Sequence, residues 1–237
     1  MRAPQIESPG RRKGPSTVRT VFQAELQQIG EDLVEISELV RTALARASES
    51  LFEADVELAE EVISDDARID LRQTQLDERA IDLLALQAPV ASDLRRIVAA
   101  LRMSASLERM GDLARHLSQT ARLRYPEPVI PEPLLATFRE MSELDLRIVE
   151  AVTRLLTTQD LADADAIHTA KARLNELHAS VFGSVAEGGW SPETTVDIAL
   201  VSRYLERFGD HGVAVARKVA YLVTGEWDAG RDLPSAP

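Results

Sequence analysis

Apolar residues recur every three or four positions along most of this chain. From about Val18 to Ser50, the positions Val21/Phe22, Leu26, Ile29, Leu33, Ile36, Val40 and Leu44 keep that spacing and share one face of an α-helix. A second helix is expected from about Asp55 to Leu86, with Leu58, Val62, Ile69, Leu76 and Leu83 at near-heptad intervals. Pro89 ends it, because proline lacks the amide donor and clashes with the preceding turn. Ser92, followed by Asp93, reads as the N-cap of a third helix reaching about Arg124. A fourth is expected from Leu134 to about Leu156, and a fifth from Leu161 to about Ala186, broken by Gly188–Gly189. Ser191-Pro192-Glu193 then supplies a cap, a proline at the first helical position and an acid at the positive helix end. The sixth helix runs to Thr224, with Gly225 closing it.

The punctuation supports the same reading. No glycine lies between Gly30 and Gly111, or between Gly111 and Gly183. Sheet proteins need turn residues roughly every 8–12 positions, so the fold class is all-α. Residues 1–17, rich in Pro, Gly, Ser and Arg, read as a disordered tail, and 227–237 as another. The stretch Tyr125–Pro133 carries four prolines and is the natural joint. The expected organisation is a first three-helix bundle over 18–125, a joint over 126–133 and a second bundle over 134–226.

Composition narrows the chemistry. The 27 Lys and Arg against 39 Asp and Glu give a formal charge of −12, which argues against nonspecific nucleic-acid binding. The absence of cysteine removes disulfides, thiol nucleophiles and thiolate-held metals. No apolar run approaches the ~20 residues that cross a bilayer, and the start lacks a signal-peptide core, so the expected address is cytoplasmic.

Three helices on each side of the joint invite a search for duplication. A shift of 105 residues places Leu51 on Leu156, Asp55 on Asp160, Val62 on Ile167 and Ile69 on Leu174. A shift of 98 places Leu107-Glu108-Arg109-Met110-Gly111-Asp112 on Leu205-Glu206-Arg207-Phe208-Gly209-Asp210, with five of six residues identical. The chain is therefore read as a duplicated three-helix unit, shortened in its second copy near Gly188.

The doubled Glu-Arg-x-Gly-Asp is the sharpest local feature. Residues four apart share a helix face, so Glu108 and Asp112 present paired carboxylates, as do Glu206 and Asp210. Leu94, Leu101 and Glu108 are spaced by sevens, as are Val98, Ala105 and Asp112, so the acids continue a core stripe and are partly shielded. Shielded carboxylates need a cation or donors. One partner is a divalent or trivalent metal ion, with Asp66/Asp70 on the second helix as a further pair and His116 as a nitrogen ligand. The second-half counterparts of Asp66 and Asp70 are Lys171 and Asn175, which makes any metal site there poorer. The other partner is arginine: Arg115 stands three after Asp112, whereas Arg109 and Arg207 point ~100° from the acids before them. Gly111 and Gly209 read as points of close helix approach. His168, His178 and His211 are scattered, Trp190 and Trp227 read as bundle caps, and the acid run Glu57–Asp66 reads mainly as a solvated face. No element supports covalent or acid–base catalysis.

With its duplicated Leu-Glu-Arg-x-Gly-Asp, the chain resembles the PhoU family, accessory regulators of bacterial phosphate-specific transport. Leu84–Arg95 (LALQAPVASDLR), Tyr204–His211 (YLERFGDH) and Tyr221–Glu226 (YLVTGE) extend the resemblance, which spans Val18 to Glu226 and is closest in style to actinobacterial members. It implies tandem three-helix bundles, a cytoplasmic homodimer, and metal ions (Mg, Mn, Fe or Zn) at Glu108/Asp112, Glu206/Asp210 and Asp66/Asp70. The family's Asn four after the motif Asp is here His116 or Ala214, and its acid before Leu-Glu-Arg is Ser106 or Tyr204. The implied role is non-enzymatic: negative control of the phosphate-starvation response. The protein would link the ATPase subunit of the phosphate ABC transporter to the sensor histidine kinase and touch the membrane only through these partners. Residues 1–17 precede the resemblance and are expected to be dispensable or to lie before the natural start. The competing readings are a helical-bundle metalloenzyme, such as a carboxylate-bridged di-metal oxidase, and a metal-free scaffold.

Overall fold

A computed structural model describes residues 15–87, 89 and 91–226. Its six helices are α1 (Pro15–Glu53), α2 (Val56–Gln87), α3 (Ala91–Arg124), α4 (Glu132–Thr158), α5 (Leu161–Glu187) and α6 (Pro192–Thr224). The local signals that start and stop them are mostly those in the sequence. Asp55 accepts from the Leu58 N–H at 2.9 Å, and Asp160 accepts from the Ala162 N–H at 3.0 Å. Ser191 Oγ accepts from the Thr194 N–H at 3.1 Å, with Pro192 opening α6 as expected. Gly225, at φ 75°, lets its N–H return to the Tyr221 carbonyl at 2.9 Å. That left-handed conformation is open to glycine at little cost.

Three boundaries differ from the sequence reading. Pro15–Thr17 belong to α1, so the tail assigned to 1–17 is helical in its last three residues; residues 1–14 and 227–237, with Trp227, lie outside the described residues. Helix α3 begins at Ala91, which places Ser92 inside the helix rather than at its cap. Helix α4 begins at Glu132 after Pro131, two residues before the expected start, because proline is tolerated in a first turn. The joint is also packed: Val129 and Ile130 are buried.

Each half is an antiparallel three-helix bundle, and the two halves share one apolar core. Helix α1 packs on α4 and α3 packs on α6, while α4 and α6 pack together, so α1, α3, α6 and α4 make a central four-helix layer. Helices α2 and α5 flank it, each against its own half. Polar ties cross between the halves: Ser142 donates to Ser48 at 2.6 Å, and Ser37 meets Thr153 at 2.9 Å. Arg124 pairs with Asp197 at 2.5 Å, and the Arg139 guanidinium lies 4.7 Å over the Phe52 ring. Trp190 packs against the core and closes the α5–α6 turn, with its indole N–H 3.4 Å from the Ser184 carbonyl.

The motif helices approach their neighbours at glycines. A Cβ on Gly111 would lie 2.9 Å from Ile69 Cδ1, and one on Gly209 would lie 2.7 Å from Leu174 Cδ2. One turn beyond, a Cβ on Gly212 would meet Ile148 Cγ2 at 2.3 Å. Gly30, exposed on α1, has nothing within 4 Å of that position. Alanine gains about 1 kcal/mol over glycine in a helix, but overpacking a fixed core costs about 1–3 kcal/mol. Gly30→Ala should therefore raise stability in urea unfolding and Gly212→Ala should lower it; equal gains from both would contradict this packing.

Candidate functional site

The two motifs lie on α3 and α6, where each of these helices faces the flanking helix of its own half. In the first half, Asp66 on α2 is buried beside Asp112 on α3. Arg115 bridges them, with Nε 2.5 Å from Asp66 Oδ2 and Nη2 on Asp112 Oδ1. Arg109 closes the outer side, at 2.7 Å from Asp112 and 3.4 Å from Glu108. The expectation that Arg109 points away from the acid before it is thus corrected: its long side chain leans back to Glu108 and reaches Asp112 at i+3. Arg207 reaches Asp210 in the same way, at 3.4 Å. Asp70 is exposed, yet close enough for its charge to act on both Asp66 and Glu108.

This first cluster is short of positive charge. Burial pushes the Asp66 carboxyl above its ordinary range, Arg115 opposes the rise, and Asp70 and Asp112 add to it. Glu108 is raised by burial and then by Asp112. Asp112 differs: burial pushes it up, but the hydrogen bonds and charges of Arg115 and Arg109 outweigh that and hold it low. A cleft of about 430 Å³, lined by Gln73, Ser106, Glu108, Arg109 and His211 among others, opens beside this cluster.

The second half solves the same problem differently. Lys171 of α5 is fully buried, and its ammonium stands 2.8 Å from Glu206 Oε1, 2.9 Å from Asp210 Oδ1 and 2.6 Å from the Glu206 carbonyl. Two of the ammonium's three donors are hydrogen-bonded to Glu206, and Asp210 is paired with it by charge. Arg203 holds the other Glu206 oxygen at 2.6 Å. Asp145 of α4 completes the group; it is wholly buried, and a Cβ on Gly209 would stand 3.3 Å from its Oδ1. Burial raises its carboxyl well above the ordinary range, against the attraction of Lys171 and with the repulsion of Glu206 and Asp210.

A metal ion has to be tested against these two donor sets. Among the described residues, no three Asp, Glu or His side chains converge as a ready ligand set. The first cluster nevertheless fits in donor chemistry: Asp66, Asp70, Glu108 and Asp112 are oxygen donors with only two guanidiniums among them. The second does not fit, since Lys171 stands between Glu206 and Asp210. His116 packs its ring 5.2 Å from that of Tyr204, and its buried Nδ1 has no hydrogen-bond partner. His178 Nδ1 pairs with Ser202 at 2.7 Å.

Two features escaped the sequence reading. Asp145 sits on the apolar line Met141–Asp145–Ile148–Val152, and a charged residue at a core position was the available signal. The bridge from Arg115 to Asp66 crosses helices, which spacing along one helix does not show.

The raised Asp145 carboxyl has a definite sign in stability. In the folded state it holds its proton to higher pH than in the unfolded chain, which ionises above about pH 3.8, so this group's contribution falls as pH rises from there. Asp145→Asn should match the wild type near pH 4 and gain on it progressively toward neutral pH, measured by urea unfolding across pH. A difference that is constant with pH would contradict the protonated carboxyl.

The comparisons with known proteins agree with this architecture. The model of the PhoU domain matches residues 33–121 and again 138–219, one match in each half. The phosphate-specific transport system accessory protein PhoU homolog 1 of Mycobacterium leprae is 37% identical over 221 residues, covering 92% of this chain and 100% of that protein. Homolog 2 of Mycobacterium tuberculosis is 38% identical over 210 residues, covering 88% and 99%. PhoU from Pseudomonas aeruginosa superposes with a TM-score of 0.80 at 26% identity, over 86% of this chain and all of that one. The phosphate transport system regulatory protein PhoU from Streptococcus pneumoniae gives a TM-score of 0.77 at 24% identity, over 87% and 98%, a likeness of fold. With its family domain matched twice and relatives aligned along nearly its whole length, the chain belongs to the PhoU family.

Proposed function

We propose that this protein is a regulatory adaptor of phosphate uptake that holds the phosphate-starvation response off while phosphate is plentiful. It does so by linking the sensor histidine kinase to the ATPase subunit of the phosphate ABC transporter, as a homodimer and without catalysing a reaction. The observation that carries this reading is the full-length likeness to accessory proteins of phosphate-specific transport, at 37–38% identity. The fold suits the role, since six helices of 27 to 39 residues offer long rigid faces for docking. Among the described residues no helix is long and apolar enough to cross a membrane; in this reading the protein meets the membrane through its partners.

The same proposal assigns metal binding to the first cluster. Asp66, Asp70, Glu108 and Asp112 would hold a divalent or trivalent cation such as Mg, Mn, Fe or Zn, once Arg115 swings aside. The metal would supply charge neutralisation between α2 and α3, and so couple ion content to the packing of the flanking helix.

The adaptor role is tested by pull-down of the tagged protein with the transporter ATPase and the sensor kinase, at high and low phosphate. Both partners should be recovered at high phosphate, and deletion of the gene should leave starvation-response genes expressed in phosphate-rich medium. Recovery of neither partner, with normal repression in the deletion strain, would contradict the reading.

A further inference from the structure

Among the differences between the duplicated halves at the carboxylate clusters, three compensate one another. Asp66 of the first half corresponds to Lys171, so the flanking helix carries an acid in one copy and a cation in the other. Arg115, the bridging cation of α3, corresponds to Val213 of α6. The cation has thus moved from the motif helix to the flanking helix. Val40, buried in the core of α1, corresponds to Asp145, buried in α4, so the second copy has gained a carboxylate facing the transferred lysine. The motif residues themselves are kept: Glu108, Arg109 and Asp112 against Glu206, Arg207 and Asp210.

The charge balance differs accordingly. The first cluster has four carboxylates (Asp66, Asp70, Glu108, Asp112) and two guanidiniums (Arg109, Arg115). The second has two carboxylates (Glu206, Asp210) and three cations (Lys171, Arg203, Arg207), burial holds Asp145 toward its neutral form, and Asp70 is replaced by Asn175. One cluster is short of positive charge and the other is not.

Exchange differs as well. The Arg115 side chain is 27% exposed, beside a cluster whose Glu108 and Arg109 line a cleft, so it can leave for water and admit an ion. The Lys171 side chain is 1% exposed and packs where a Cβ on Gly209 would lie 3.0 Å from its Cδ. Its ammonium has three acceptors within 2.9 Å. To admit a metal at Glu206 and Asp210, that ammonium would have to leave all three and cross a packed helix interface.

We infer that the two copies have divided the role: Lys171 is a built-in cation that closes the Glu206/Asp210 motif to metal ions permanently, leaving the first motif alone to bind and release one. This rests on the proposed metal binding of the first cluster for its second half only. The closure by Lys171 stands on the geometry of α5 and α6. Ion-dependent change in this protein is then confined to the α2–α3 side, while the α5–α6 side keeps one packing at every metal concentration.

The test is the manganese content of the whole chain after dialysis against Mn(II), by elemental analysis. Wild-type protein should hold one ion per chain. Glu206→Gln with Asp210→Asn should leave that number unchanged, and Asp66→Asn with Asp112→Asn should remove the ion. Lys171→Asp, which restores the first-half residue type, should bind one ion more than wild type. A wild-type content of two, a loss of manganese in the Glu206/Asp210 variant, or no gain in a folded Lys171→Asp variant would each overturn the closure. If Lys171→Asp fails to fold, the Glu206/Asp210 variant decides. A wild type without manganese beside a Lys171→Asp variant holding one ion would overturn the metal reading of the first cluster and uphold the closure.

Discussion

A carboxylate drawn between packed helices must meet positive charge or give up its ionisation, because the interior does not replace the water it loses. Much of this molecule is organised by that constraint. The motif helices α3 and α6 each carry a pair of acids at the edge of a core stripe, and each faces a flanking helix across a glycine. The glycines bring the helices close enough for a single side chain to bridge them. In one half the bridge is Arg115, reaching from α3 to Asp66 of α2; in the other it is Lys171, reaching from α5 to Glu206 and Asp210 of α6. Asp145, which finds no hydrogen-bond partner, takes the other course, and burial raises its carboxyl well above the ordinary range.

Gene duplication gives both halves the same constraint and lets them meet it separately. The first half retains an excess of acids near solvent, a condition that favours an exchangeable ion. The second supplies its own ammonium and becomes independent of what the solution contains. Under the proposed role, the first side responds to the ion while the second holds the shared core of α1, α3, α4 and α6 in register. Ser48 to Ser142 and Arg124 to Asp197 tie the two halves together across that core.

Much of this was legible in the residues. The 3–4 spacing of apolar positions gave all six helices, and Pro or Gly marks three of the five breaks; the other two, at Ala54-Asp55 and Gln159-Asp160, turn at a positive-φ residue before an Asp cap. The repeat set Asp66 opposite Lys171, and the structure places that lysine between Glu206 and Asp210. Boundaries slipped where a helix tolerates proline in its first turn, as at Pro15 and Pro133. Arg109 was misjudged because a direction on the helical wheel says little about a side chain long enough to fold back. Asp145 and the Arg115–Asp66 bridge stayed hidden because they depend on which helices meet, and periodicity along one helix carries no such information.

The buried ammonium of Lys171 holds α5 against α6. The most direct measurement is the unfolding free energy of Lys171→Met, a replacement of similar length without the charge. The account predicts a loss of roughly 3 kcal/mol, the low end of the range for breaking a buried ion pair, because Arg203 and Arg207 still hold the outer oxygens of Glu206 and Asp210. An unfolding curve that matches or exceeds wild type in stability would contradict it.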